Sequence, residues 1–385
     1  MTWEKIKLGN LYDIHNGLSK GRPYFGTGYP FLSFSTVFNH AFIPDEIHDL
    51  VQSSEKEQKN YSILRGDVFI TRTSETFDEL GMSCVALKDY PTATYNGFTK
   101  RMRPKTDKLL PEYIGYYLRT PNFRNQFRAF STMTTRASLR NDDLLSLAVP
   151  VPPMHIQHRI ADILSAYDDL IEVNQKQIRL LEEAARRLYR EWFVDLRFPG
   201  HEDTPITDGI PAGWTKTILN EIVQFRRGKT ITQEQTIRGS IPVIAGGREP
   251  AYFHNMSNTE APVITVSASG ANAGFTQIHY QKIWASDCSF ADDTSTSHLY
   301  FAYCFLKQSH SLMSNLQKGS AQPHVYAKDI NHLPLLLPPQ TLIQEFENAV
   351  IPFFHASKNC LAKIKLATEA RDRLLPKLMN GEIEV

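Results

Sequence analysis

The chain has 385 residues, 42% apolar and 22% charged, enough for two or three globular domains with large cores. It opens on charged and polar residues, contains no apolar run of about eighteen, and spaces its four cysteines without pairing. Export, membrane insertion, a zinc site and a disulfide framework are therefore not expected, and a reducing cytoplasm is. The formal net charge is only +1, so a surface for a polyanion has to come from local clustering of cations.

Taken in order, the chain repeats itself. Trp3, Leu8 and Gly17 return at the same offsets as Trp214, Leu219 and Gly228. A glycine loop then leads to short strands at Tyr29-Pro30-Phe31-Leu32 and Ile241-Pro242-Val243-Ile244. Apolar strands follow in both halves, around Asp67 to Arg72 and around Pro262 to Val266. Helical patterns come next, from Glu112 to Phe130 and from His298 to Leu316, the first broken at Thr120-Pro121. Each half closes on a proline signature, Pro150-Val151-Pro152-Pro153 and Pro338-Pro339, followed by a glutamine-containing helix start at Gln157 and Gln344. The shared order predicts a duplicated α+β fold.

After the first signature, Ile160, Leu164, Tyr167, Ile171, Asn174, Ile178, Leu181, Ala185, Leu188 and Trp192 keep a 4-3 spacing. That period marks a coiled-coil seam on a helix roughly 60 Å long, stopped before Pro199-Gly200. The second half has a poorer version in Val350, Phe354, Leu361, Ile364, Leu375 and Leu378, with Pro352 expected to disturb its first turns and Asn380-Gly381 to end it. Neither stripe can be buried alone, so the two helices are expected to pair antiparallel. Asn174 in the seam either hydrogen-bonds a neighbour or fixes the register. The boundaries follow: a first mixed α/β domain over 1–153, a first long helix over 154–198, a linker and second such domain over 199–338, and a second long helix with the C-terminus over 339–385.

Further residues carry a family likeness. Arg190-Glu191-Trp192-Phe193, the exit Phe198-Pro199-Gly200, the entry Ile210-Pro211-Ala212-Gly213-Trp214, and the ending Arg373-Leu374-Leu375-Pro376-Lys377-Leu378-Met379 with Gly381-Glu382-Ile383 resemble the specificity subunit of Type I restriction-modification systems. The resemblance implies that each variable domain reads one half of a bipartite double-stranded DNA site and that the helices set the gap. It also implies partners: two modification subunits that hold S-adenosylmethionine and methylate adenine, and restriction subunits that use ATP and Mg. No cofactor is expected in this chain.

Local charge fits a DNA surface. No acidic residue falls between Glu112 and Asp142 or between Asp293 and Asp329. Phosphate oxygens approach only where carboxylates are excluded. Within these stretches, the loops holding Thr134, Arg136, Ser138 and Arg140, and Lys318, Ser320 and Gln322, mix cations with hydroxyls and an amide suited to phosphate and base-edge contacts. The glycine loops add Lys20 and Arg22, and Arg226, Arg227 and Lys229. Arg119, Arg124 and Arg128 read instead as the outer face of a helix whose aromatics enter the core.

Motifs for catalysis are missing. There is no Asn-Pro-Pro-Tyr-type site and no glycine-rich cofactor loop, and Gly228-Lys229-Thr230 lacks the upstream glycine of a phosphate-binding loop. The thirteen histidines include no metal-binding spacing, and His155 with His158 at a helix start reads as structural. The leading expectation is a non-catalytic DNA-specificity subunit reading an asymmetric site. The alternatives are the recognition subunit of a system whose fused partner both cuts and methylates, a coiled-coil dimerised α/β enzyme, or a scaffold. The enzyme alternative requires a convergent set of acids and histidines.

Overall fold

The computed structural model describes residues 3–74, 80–127, 137–317 and 323–385. They form two compact units, one of residues 1–172 with 365–385 and one of residues 173–364. In the first, an antiparallel sheet places Tyr12–Asn16, Thr99–Pro104, Val68–Thr71 and Ser83–Val85 side by side. Beside it, Phe25–Leu32 pairs antiparallel with Leu50–Val51 and parallel with Thr94–Tyr95. The second unit repeats this with Arg226–Arg227, Cys288–Asp292, Val263–Ser267 and Thr276–His279. Its smaller sheet again has a central strand, Ile241–Ile244, antiparallel to Tyr252–His254 and parallel to Trp284–Ala285. All seven strands enter their sheets in the same chain order in both units, so the duplication is a property of the fold.

The repeated sequence marks have physical reasons. Leu8 and Leu219 are fully buried, and their N–H groups donate to Leu147 and Leu333 at 2.8 and 2.9 Å. A Cβ on Gly17 would stand 2.1 Å from the Asn96 carbonyl oxygen, and one on Gly228 would stand 2.4 Å from that of Ser286. Backbone cannot yield at that range, so only glycine fits where the loop crosses the sheet. Each proline signature is led into by a strand: Ala148–Pro150 pairs with Lys5–Lys7, and Pro334–Leu337 with Thr215–Ile218. The two ends of each domain are thereby closed together immediately before a long helix begins.

The helical stretches divide as proline and serine dictate. Pro111–Tyr117 and Pro121–Phe127 flank the Thr120-Pro121 step, and Leu299–Gln308 and His310–Asn315 flank Ser309. The long helices run Met154–Phe193 and Gln340–Met379. In the second unit Gln177 meets Cys360, while Tyr189 and Trp192 pack edge-on to Phe346 at 5.8 and 5.9 Å. Rising numbers on one helix match falling numbers on the other, so the pair is antiparallel. In the first unit Arg371 bridges to Asp168 at 2.5 Å, and Ile160 and Leu164 share a core with Leu378.

Along the first helix the seam follows the sequence pattern: Ile160, Leu164 and Asn174 are buried, and Ile171, Ile178, Leu181 and Leu188 are half-buried. On the second, Ile364, Leu375 and Leu378 lie on the packed side. Leu361 does not. It is 43% exposed, and the seam position belongs to its neighbour Cys360. Ser357, Cys360, Ile364 and Ala367 are covered in a 3-4-3 spacing, so small residues rather than the large apolar one face the partner helix. Pro352 also leaves the helix continuous. It lies on an exposed face, and the carbonyl of Asn348, left without an N–H, belongs to an exposed residue and can be hydrated.

Each domain is locked to its long helix by a buried side chain at the start of a domain helix. In the first unit Gln157 accepts from the Leu110 N–H at 2.8 Å, just ahead of Pro111–Tyr117. In the second, Glu347 accepts from the Phe301 N–H at 2.7 Å in the first turn of Leu299–Gln308. Burial pushes the Glu347 carboxyl up to about 7, against the pull of the Phe301 and Tyr300 N–H groups. The unfolded chain ionises this group first, so stability is full below pH about 4.5 and falls as pH climbs towards 7. Glu347→Gln should remove that fall, gaining on the order of 3 kcal/mol relative to the parent between those limits. Unfolding measured from pH 4.5 to 7.5 checks it; a parent-variant difference independent of pH contradicts the buried neutral acid.

Candidate nucleic-acid interface

In each unit one edge gathers the loop after the first strand, the turn before a later strand, and the segment approaching the proline signature. In the first, the Leu18 N–H donates to the Tyr95 carbonyl at 2.8 Å, the Arg72 N–H to Phe98 at 3.1 Å, and the Leu139 N–H to Arg72 at 3.0 Å. Ala137–Ser138 pairs with Thr73–Ser74 beside them. This weave presents Phe98, 58% exposed, with Arg72 and Arg140 close in the chain pairing. Below them Lys100 is buried, and its ammonium donates to Asn141. Burial and then the Arg72 charge lower its proton affinity. The loop itself exposes Arg22, Tyr24, Phe25 and Tyr29.

The second unit repeats the weave with other residues. The Lys229 N–H donates to Ala285 at 2.9 Å, and its carbonyl accepts the indole N–H of Trp284 at 2.8 Å, leaving the ammonium on an exposed side chain. Ser269 bridges to His324 as Thr73–Ser74 does to Ala137–Ser138. The two loops singled out before the proline signatures therefore rejoin the fold at equivalent places.

Several candidate cations have internal partners. Lys20 binds Glu57 at 2.8 Å and the Gln52 carbonyl at 2.5 Å, and with Ser54 it holds the Glu57 carboxyl below its usual range. Arg226 pairs with the buried Asp292 at 3.0 Å and lies 5.0 Å over the Phe290 ring. Burial pushes Asp292 up, but hydrogen bonds from Thr294, Glu260 and Ser295, with the Arg226 charge, bring it below the usual carboxylate range. Arg227 pairs with Asp287, which also accepts the Ser269 hydroxyl. Arg22, Arg140 and Lys229 are exposed and form no ion pair among the described residues. Thr134, Arg136, Lys318, Ser320 and Gln322 lie outside the described residues, and Ser138 is described by its backbone alone.

The aromatics of the acid-free stretch after Glu112, Tyr113, Tyr116, Tyr117, Phe123 and Phe127, are all core. Arg119 is not an outer-face residue. It donates to the carbonyls of Ser83 at 2.7 Å, Val37 at 2.9 Å, Phe38 at 3.0 Å and His40 at 2.6 Å. Sequence reasoning passed over Arg72, Phe98, Arg248 and Phe275, because isolated residues in strand ends and turns carry no periodic signal.

Among the described residues no group of three His, Cys, Asp or Glu side chains is placed to hold a metal ion. All four cysteines are buried, and burial pushes the Cys84 and Cys288 thiols up to about 12. No described helix is long and apolar enough to cross a membrane. Residues 1–183 and 211–346 match the family model of the Type I restriction modification DNA specificity domain. The chain belongs to that family. It is 25% identical to the Type I restriction enzyme MjaIX specificity subunit of Methanocaldococcus jannaschii over all of this chain and 94% of that one. It is 21% identical to the HindI specificity subunit of Haemophilus influenzae over 99% of each. The crystal structure of a Type I S subunit from M. genitalium has the same fold, with a TM-score of 0.58, 16% identity, and 98% and 96% of the two chains covered. As a specificity subunit the chain serves DNA recognition and is not itself the enzyme.

Because four carbonyls depend on one guanidinium, Arg119→Ala should destabilise the chain by about 3 kcal/mol, whereas Arg22→Ala should change stability by less than about 0.5 kcal/mol. Denaturant unfolding of the two variants checks this; equal effects contradict the division between bracing and surface arginines.

Proposed function

We propose that the chain reads a split, asymmetric DNA sequence, one half-site for each recognition domain, with the paired long helices holding the gap. The reading is carried by one observation: a seven-strand order built twice, presenting equivalent edges with different residues. One edge offers Arg22, Phe98 and Arg140; the other offers Lys229, Arg248 and His324. Equivalent frames with unequal side chains suit two different base sequences, since phosphate contacts position while groups on base edges specify. The domains are assigned to 1–153 and 199–338, each followed by its helix.

In this reading double-stranded DNA is joined by two modification subunits, seated on the helical regions, and by restriction subunits. S-adenosylmethionine, ATP and Mg reside on those partners, and the assembly works in the cytoplasm. The names of the related chains, all specificity subunits of restriction enzymes, support such an assembly.

Two experiments test it. Exchanging residues 212–338 for those of a relative should change one half of the methylated sequence and leave the other intact; changes on both sides of the gap contradict separate readers. Adding seven residues to each long helix should widen the gap by about 10 Å, about three base pairs. Methylation mapping that finds the original spacing removes the helices as the ruler.

A further inference from the structure

The second unit contains a cleft of about 260 Å³ between the turn Gly270–Asn272 and the helices Leu299–Gln308 and His310–Asn315. Among the described residues its lining has no carboxylate. Two cations, Arg248 and Lys307, share it with the amides of Asn272 and Gln317, over an apolar floor that includes Phe275 and Met313. The Arg248 guanidinium carbon lies 5.0 Å from the centre of the Phe275 ring, and the Lys307 ammonium lies 5.9 Å from the same centre. Lys307 also reaches the Thr276 carbonyl at 3.4 Å.

Neither cation forms an ion pair among the described residues. Glu182, an acid in the adjoining hollow that Lys307 also lines, accepts the Tyr303 hydroxyl at 3.2 Å. Glu183, the other acid of that hollow, pairs with Arg186 and Arg187, so the two positive charges lie 5.0 and 5.9 Å from one ring centre with no carboxylate bound to either among the described residues. Like charges near one ring repel, and an anion bound beside them offsets that repulsion. The surrounding stretch from 294 to 328 is free of acids.

The cleft opens beside the reading edge. Its turn follows directly on Ser269, which bridges to His324, and Arg248 follows Gly246, whose carbonyl accepts the Ser267 hydroxyl at 2.9 Å. Both cations line the one cleft, so an anion seated in it has both in its walls. We propose that this cleft seats a backbone phosphate of the second half-site, held by Arg248 and Lys307. The proposal rests on the reading of the chain as a split-site DNA binder.

The test uses the full chain assembled with its modification partner. Arg248→Gln, Lys307→Gln and the double variant are titrated with a duplex carrying the cognate site and with one altered in the second half-site, across salt concentrations. Each single variant should reduce the slope of log affinity against log salt by about 1 and weaken both duplexes by a similar factor. Ethylation interference should lose one phosphate, inside the second half-site. Where Lys307→Gln lowers the melting temperature, Arg248→Gln, on an exposed loop, decides.

Unchanged slopes with a parent that still prefers its own site overturn the cleft proposal alone. A parent with no sequence preference overturns the split-site reading instead. If millimolar ADP or inorganic phosphate raises the melting temperature of the parent and not of the double variant, while the salt slopes agree, the ligand is a free phosphate compound and the DNA assignment fails.

Discussion

Each of the two forty-residue helices carries an apolar stripe that it cannot bury by itself. Their antiparallel pairing is the constraint to which the remainder of the fold is fitted. The stripe is also a wall of each domain core. Tyr189 and Phe193 pack against Phe301 and Phe346 at 5.0 to 5.8 Å, and Ile160 and Leu164 close the core that holds Tyr113 and Phe123. A recognition domain is therefore not tethered to a rod by a linker. It is folded onto the rod, and moving it requires opening buried apolar contacts.

The two joints use the same device with unequal chemistry. A side chain from the long helix accepts the N–H at the start of a domain helix, where backbone donors lack internal partners. Gln157 does this without charge and spends its amide on the carbonyls of Lys108 and Pro152. Glu347 has no such donor when ionised, and burial resists its charge. One domain is thus fixed independently of pH and the other through a titratable group. Duplicated frames tolerate this because the backbone demand at the helix start is the same while the second contact differs.

What the sequence made legible follows physical range. The first long helix could be read because its period is local, and the glycine pair because a collision with backbone allows one residue type only. The second helix was misread at Leu361, since hydropathy favours leucine, whereas the packed seam is filled by Ser357, Cys360 and Ala367. Arg119 looked like a surface cation, but the carbonyls it braces lie 36 to 82 residues away. Likewise Arg226 finds Asp292 at a separation of 66 residues. Such partners are invisible until strand order is known, and strand order is the part of a mixed fold that periodicity does not encode.

The near-neutral net charge looked like an objection to DNA binding and becomes intelligible when each cation is followed to its partner. Lys20, Arg103, Arg119, Arg226 and Arg227 are engaged by acids or carbonyls inside the units. Those pairings brace the loops rather than attract phosphate. Attraction between cations and the phosphate backbone is blind to sequence. Discrimination between base sequences needs groups that reach base edges, which the net charge does not measure. A near-neutral total is therefore compatible with specific recognition, which does not scale with net charge.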